Sequence, residues 1–150
     1  MCIALGRPSD RKWRHAFGGE TDKEAMRYDE VREACLSQEI AYIAIDHLRI
    51  FMREKELELS RPHQHKLMDA LFSTLIAMMQ RKQSVPVILE IFRLLREFVH
   101  KYSKHLFTLN TPYCAHLTAQ ILHFCNYQNI HVRVEASAFL FLLMKVRICE

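Results

Sequence analysis

The stretch Ser84–Tyr102, SVPVILEIFRLLREFVHKY, decides the fold class. Ile88, Ile91, Leu95, Phe98 and Tyr102 recur every three or four residues, the spacing that lines up side chains along one face of an α-helix. Arg93, Arg96, Glu97 and Lys101 fall largely on the other face. Ser84 is a good N-cap residue, and Pro86 falls in the first helical turn, where its missing N–H goes unneeded. The stretch therefore reads as a long amphipathic helix buried along one side.

The same grammar recurs on both sides of it. Upstream, Leu67, Leu71, Leu75, Met78 and Met79 form a second stripe, opened by Ser60 and Pro62 and closed by RKQS. Downstream, Thr111-Pro112 repeats the cap-then-proline start, and Tyr113, Leu117, Ile121 and Phe124 follow at helical spacing. NYQN, Asn126–Asn129, is a turn, and a last helix is expected from about Ile130 to Arg147. Near the N-terminus, Thr21 with Glu24 makes a capping-box pattern for a polar helix from Asp22 to Cys35. Ser37 can cap a further segment, QEIAYIAIDHLRIFMREK, whose expected buried face is Ile40, Ile43, Ala44, His47, Leu48 and Phe51. Helical periodicity leaves open whether Ser37 breaks the helix or only bends it.

This gives an all-α protein of about six helices, most of about 14–20 residues, with short links that favour antiparallel neighbours. Nothing alternates convincingly with the period of two that marks a strand. A closed bundle and stacked helix pairs both satisfy the pattern. Pairing 38–54 with 62–82 and 84–103 with 111–126 gives a repeat of about 45 residues, in the armadillo/HEAT range. The expected architecture is thus an armadillo/HEAT-like α-solenoid segment spanning 22–150, after an irregular lead-in over 1–21.

Composition narrows the function classes. Half of the 150 residues are hydrophobic and 25% are charged, which is enough apolar surface for a real core. With only 3 Gly and 4 Pro, the chain has no GxGxxG or GxxxxGK[ST] phosphate loop. A formal charge of +4, with basic residues interspersed among acids as in MREKELEL, is too mild for a dedicated nucleic-acid binder. The densest basic run, Arg7–His15, contains the only Trp, Trp13, and reads as a solvated lead-in anchored by that ring. The apolar run VEASAFLFLLMK, Val134–Lys145, has about nine uncharged residues between charged ends, against about 20 for a membrane span. No transmembrane segment is expected, and a helix so widely apolar wants protein on nearly all sides. Cys2, Cys35, Cys114, Cys125 and Cys149 form no CxxC, and the first residues are too polar for a signal peptide. Reduced thiols and a cytoplasmic location follow.

Candidate chemistry is sparse. CAHLTAQILHFC offers Cys114, His116, His123 and Cys125. On a helix, Cys114 and His116 point roughly 200° apart, and His116 and His123 lie about 10 Å apart, too far for one zinc with ligands at about 2.0–2.3 Å. His63 and His65 could form half a site but have no matching pair nearby. Cys114, near a helix N-terminus, is the best candidate for a reactive thiol, but its place beside Leu117 points to burial. No nucleophile elbow or HExxH motif occurs. No catalytic, cofactor-binding or metal-binding residue is therefore assigned, and a Cys-dependent enzyme is a distant third reading. Arg133 is expected to pair with a carboxylate of an adjacent helix.

One stretch carries more than periodicity. Lys104–Lys145, KHLFTLNTPYCAHLTAQILHFCNYQNIHVRVEASAFLFLLMK, resembles the dedicator-of-cytokinesis (Dock) family, most closely its zizimin-like and Zir-like branches, in the helical region upstream of the exchange domain. The matching residues are Phe107, Cys114, Ala115, Leu117, Cys125, Arg133, Glu135, Ala136, Ser137, Ala138, Leu140, Leu142, Leu143, Met144 and Lys145. More loosely, RKWRHAF and EIAYIAIDHLRIF resemble the family's tryptophan-arginine segment and following helix. Phe141 stands where the family often has Tyr, and Lys145 where it often has Arg.

The resemblance implies a large cytoplasmic guanine-nucleotide exchange factor for Rho-family, mainly Rac-like, GTPases, acting in small-GTPase signalling. Its activity resides in a lipid-binding C2-like domain and a carboxy-terminal exchange domain, neither of which is visible in these residues. The matching residues would then be structural, within an armadillo-like scaffold that binds no cofactor and no nucleic acid. Expected partners are the rest of the parent protein, a GTPase only through the exchange domain, and other proteins or a second copy through the last helix, at Leu140 and Leu143. VRICE, Val146–Glu150, replaces the family's usual continuation, so the chain is expected to be a fragment. The alternative is an independent helical adaptor.

Overall fold

The computed structural model describes residues 21–59, 65–107 and 112–149. Within them the elements are α1 (Thr21–Glu54), α2 (Glu56–Leu59), α3 (His65–Gln80), α4 (Val85–Leu106), α5 (Tyr113–Cys125) and α6 (Ile130–Cys149), and no residue is in a strand. The all-α reading holds. The Ser60–Pro62 start, Thr111, His63, Trp13 and the lead-in over 1–20 lie outside the described residues.

Ser37 neither breaks nor ends α1, which runs unbroken for 34 residues. The physical reason is local. No Gly or Pro occurs between Thr21 and Leu59, and a mid-helix Ser costs only a few tenths of a kcal/mol. The chain divides into two compact units, Met1–Ser37 and Gln38–Glu150, with the boundary inside this helix. In the first unit, Met26, Tyr28, Val31, Cys35 and Leu36 are exposed.

The second unit is built around α4. Ser84 takes the extended N-cap conformation expected of it, with Pro86 in the first turn, but its hydroxyl does not cap the helix. It donates instead to Gln38 Oε1 at 2.9 Å. Ile88, Ile91, Leu95, Phe98 and Tyr102 are all buried, and so are Val87, Phe92, Leu94 and Val99. α4 thus buries two adjacent apolar stripes, because helices pack on both of its sides. The supposedly solvated charges bridge to those neighbours. Glu97 meets Arg49 of α1, Lys101 meets Glu56 of α2, and Arg96 meets Glu135 of α6.

From Gln38 on, α1 runs parallel to α4. Gln38, midway along α1, meets Ser84 at the start of α4, and Tyr102 Oη donates to the Met52 carbonyl at 3.0 Å near the C-terminal end of both helices. α3 packs on α4 and on α5, while α6 packs on α4 and on α5. Two aromatic groups knit these contacts. Phe72 of α3 sits 4.6 Å from Tyr113 and 6.2 Å from Phe98, and Phe92 meets Phe124 and Phe139 edge-on at 5.6 and 5.9 Å. The expected stripes of α3 and α5 are confirmed, with Leu71, Leu75, Met79, Tyr113, Leu117, Ile121 and Phe124 buried.

The expected face of α1 is borne out only in part, with Leu48 and Phe51 packed half-buried against the core and Ala44 half-buried. Ile40 and Ile43 are 64% and 57% exposed, His47 is exposed, and the buried side is Ala41, Ile45 and Met52 with half-buried Leu48. α1 carries two apolar stripes on nearly opposite sides, and periodicity alone does not rank them. The stripe flanking Arg49 wins because that side chain then reaches the acids of α4.

Candidate interaction surface

The described residues hold no assembled reaction centre. Cys114 is half-buried, with its carbonyl accepting the Thr118 hydroxyl at 2.7 Å. His116 and His123 are exposed, and Cys125 is half-buried with its Sγ 4.0 Å from the Ser137 hydroxyl. Among the described residues no group of three or more His, Cys, Asp or Glu is placed to hold a metal ion, and no described helix is long and apolar enough to cross a membrane.

The polar clusters that do form join helices. The Arg49 guanidinium, only 19% exposed, donates from Nη2 to Glu90 at 2.8 Å, from Nε to Glu97 at 3.0 Å and from Nη1 to Asp46 at 3.2 Å. Arg93 closes on the other Glu90 oxygen at 2.8 Å. The hydrogen bond from Arg49, then the Arg93 cation, hold the Glu90 carboxyl below the usual carboxylate range, against an opposing push from burial. The same bond to Glu90 holds the Arg49 guanidinium above its usual value. Tyr113 donates to Asp69 of α3, and burial followed by that acid pushes its phenol up to about 12. Burial, then the charge of Glu56, does the same to Tyr102, also to about 12.

The residues of the Dock-like pattern divide between core and surface. Leu117, Ala136 and Leu143 are buried, and Phe107, Cys114, Cys125, Leu140 and Leu142 pack half-buried against the core. Ala115, Ser137, Ala138, Met144 and Lys145 are exposed. Phe107 ends α4, its N–H donating to the Ser103 carbonyl at 3.0 Å. Arg133 differs from expectation. It donates to the Tyr127 and Gln128 carbonyls, each at 3.2 Å, and so fastens the α5–α6 turn. Its neighbour Glu135 makes the interhelical ion pair, with Arg96.

What remains is surface. Only one side of α6 is buried, formed by Val132, Ala136, Phe139 and Leu143. The opposite side presents Ile130, Val134, Phe141 and Met144, with Phe141 64% exposed. Leu143, expected at an outward face, is 3% exposed, and Leu140 is half-buried. The outer side of α1, Ile40, Ile43 and Ile50, is the matching apolar face on the other flank of α4. Periodicity placed Ile40 and Ile43 in the core and did not single out Ala41, Ile45 and Met52, which the structure buries.

These features define a helical packing module with two open apolar faces. No family model matches the chain, and no solved structure does. The chain is similar to dedicator of cytokinesis protein 9 of Homo sapiens, 28% identical over 132 residues that make up 87% of this chain and 6% of that protein. It is likewise similar to dedicator of cytokinesis protein 11 of Danio rerio, 31% identical over 129 residues, 85% of this chain and 6% of that protein. The mouse protein 9 matches at 28% over 133 residues. The chain therefore spans about 6% of the length of these relatives.

Proposed function

We propose that this chain is a non-catalytic scaffold segment of a Dock-type guanine-nucleotide exchange factor for Rho-family GTPases, in the zizimin/Zir-like branch, working in the cytoplasm. The observation that carries the reading is the similarity of nearly the whole chain to one short stretch of the dedicator of cytokinesis proteins. The packing supports an armadillo-like role. α4 is covered on two sides by α1 and α6, as an inner helix of a stacked array is, whereas terminal helices of such arrays ordinarily carry a polar outer face. α1 and α6 carry apolar ones. In this reading the segment spaces the domains on either side of it, and exchange resides elsewhere in the parent protein.

The test has two arms. The chain alone should release no bound nucleotide from Rac-like GTPases. Exchanged for the matching stretch in the zebrafish protein 11, it should preserve that protein's activity in a nucleotide-release assay, where an unrelated helical bundle of equal length should not. Nucleotide release by the chain alone, or loss of activity in a folded chimera, would contradict the proposal.

A further inference from the structure

Two helix interruptions stand side by side, and neither has a proline or glycine to cause it. α1 ends at Glu54 and α2 begins at Glu56, with only Lys55 between them. Lys55 still donates to the Phe51 carbonyl at 2.9 Å and accepts from the Leu59 N–H at 2.8 Å, so the chain passes through the break without unwinding. α4 leaves helical dihedrals at Tyr102, with φ −121° and ψ 28°, and kinks there. No Gly or Pro lies in 21–59 or 87–107. Without them, a side chain set against the helical ladder is among the few causes of a kink. Tyr102 supplies it. Its side chain is buried, and a buried phenol needs an acceptor. Among the described residues no polar or charged side chain is fully buried, and the main chain provides the acceptor, the Met52 carbonyl at 3.0 Å. The preceding residue, Lys101, meets Glu56 at 2.6 Å. Two consecutive residues of α4 thus hold the two sides of the break at Lys55, Met52 before it and Glu56 after it.

We propose that the two interruptions form one hinge, latched by the Tyr102 phenol, at which Glu56–Leu59 and residues 103–106 move together. Each segment ends on a buried leucine of the same core, Leu59 and Leu106, so neither frays by itself. The position of the hinge gives the motion a direction. α2 precedes α3 in the chain, the last turn of α4 precedes α5, and α3 packs on α5. The hinge therefore lies where the α3–α5 pair follows on from the α1–α4 pair. A row of rings runs from the latch into that second pair, Tyr102 to Phe98 at 5.4 Å, Phe98 to Phe72 at 6.2 Å and Phe72 to Tyr113 at 4.6 Å. With the latch closed the two pairs hold one arrangement. With it open they tilt against each other while their helices stay intact, a hinge motion that uses element ends. The hinge rests on this packing alone, so its failure leaves the scaffold reading intact.

Hydrogen exchange followed by mass spectrometry on the full chain tests it. In the unmodified chain, amides of 55–59 and of 102–107 should share one level of protection, below that of 88–98 in the middle of α4. Low urea should speed exchange in 88–98, which needs global unfolding, and leave the two hinge segments nearly unchanged, because a hinge opening exposes little surface. Tyr102→Phe keeps the ring in the core and removes the latch. Both hinge segments should then exchange about tenfold faster, by a like factor, as the loss of one buried hydrogen bond implies. Lys101→Met, which keeps the phenol and removes only the partly exposed ion pair, should quicken both by about twofold, and it decides the matter should Tyr102→Phe not fold. Unequal protection of the two segments, a response to either substitution in one segment only or in neither, or hinge amides that follow 88–98 in urea would each overturn the hinge.

Discussion

Replacing Arg49 with Met tests whether the charge cluster between α1 and α4 fixes which face of α1 is buried. The substitution keeps most of the aliphatic stem and removes the guanidinium. The Glu90 contact is the best shielded, both side chains being about one-fifth exposed, and a charge-assisted hydrogen bond there contributes about 1.5–2 kcal/mol. Glu97 is 40% exposed, and Asp46 is largely in solvent. Such pairs add about 0.3–1 kcal/mol each. Glu90 keeps Arg93, which offsets part of the loss. The expected cost at pH 7 is about 2–3 kcal/mol, a fall in Tm of about 6–10 °C. The pH dependence separates charge from packing. Glu90 titrates lower folded than unfolded, so its contribution is complete above its ordinary pKa of 4.5 and is lost as pH falls through the folded value. In Arg49→Met that contribution has largely gone, so the gap between variant and parent should shrink from pH 7 to pH 3. Urea melts followed by circular dichroism measure both quantities. A gap below about 0.5 kcal/mol at pH 7, or one that persists undiminished in acid, would refute the account.

At the alkaline end, Tyr102 and Tyr113 each titrate at about 12 when folded against 10.0 ordinarily, so the stability they hold below pH 10 is lost as pH rises towards 12. Each contributes at most about 2–3 kcal/mol, and Tyr102→Phe and Tyr113→Phe should flatten the alkaline fall in thermal melts; unchanged slopes in both would argue against the assignment. On α6, Leu143→Ala should cost about 2–3 kcal/mol, whereas Met144→Ser one residue on should stay within about 0.5 kcal/mol. Equal effects in chemical denaturation would mean that the buried side of α6 is misassigned.

Most helices were legible because each shows one dominant apolar stripe and clear punctuation. Ser84 with Pro86 marks the start of α4, and NYQN separates α5 from α6. Ser37 was ambiguous because Ser is both a favoured cap and a tolerated interior residue. The candidate surface was half legible. VEASAFLFLLMK is apolar on nearly every side, so its pattern did not reveal that Phe139 and Leu143 face the core while Phe141 and Met144 face out. Arg133 and Glu135 could not be told apart by type, since either ion could have found a partner. Only the path of the turn gives Arg133 its two carbonyls and leaves Glu135 beside Arg96.

The sequence by itself determined that this chain is helical, where most of its helices turn, and that α3, α4 and α5 bury the stripes they do. Those are local properties, set by spacing, caps and prolines within a few residues. Tertiary structure decided which of two apolar sides α1 and α6 turn inward. A helix with two stripes gains similar hydrophobic energy from burying either, so the choice falls to side chains distant in sequence, Glu90 and Glu97 for α1 and Phe92 and Arg96 for α6. The stripes left outside, Ile40–Ile43–Ile50 and Val134–Phe141–Met144, became the candidate surface through that choice.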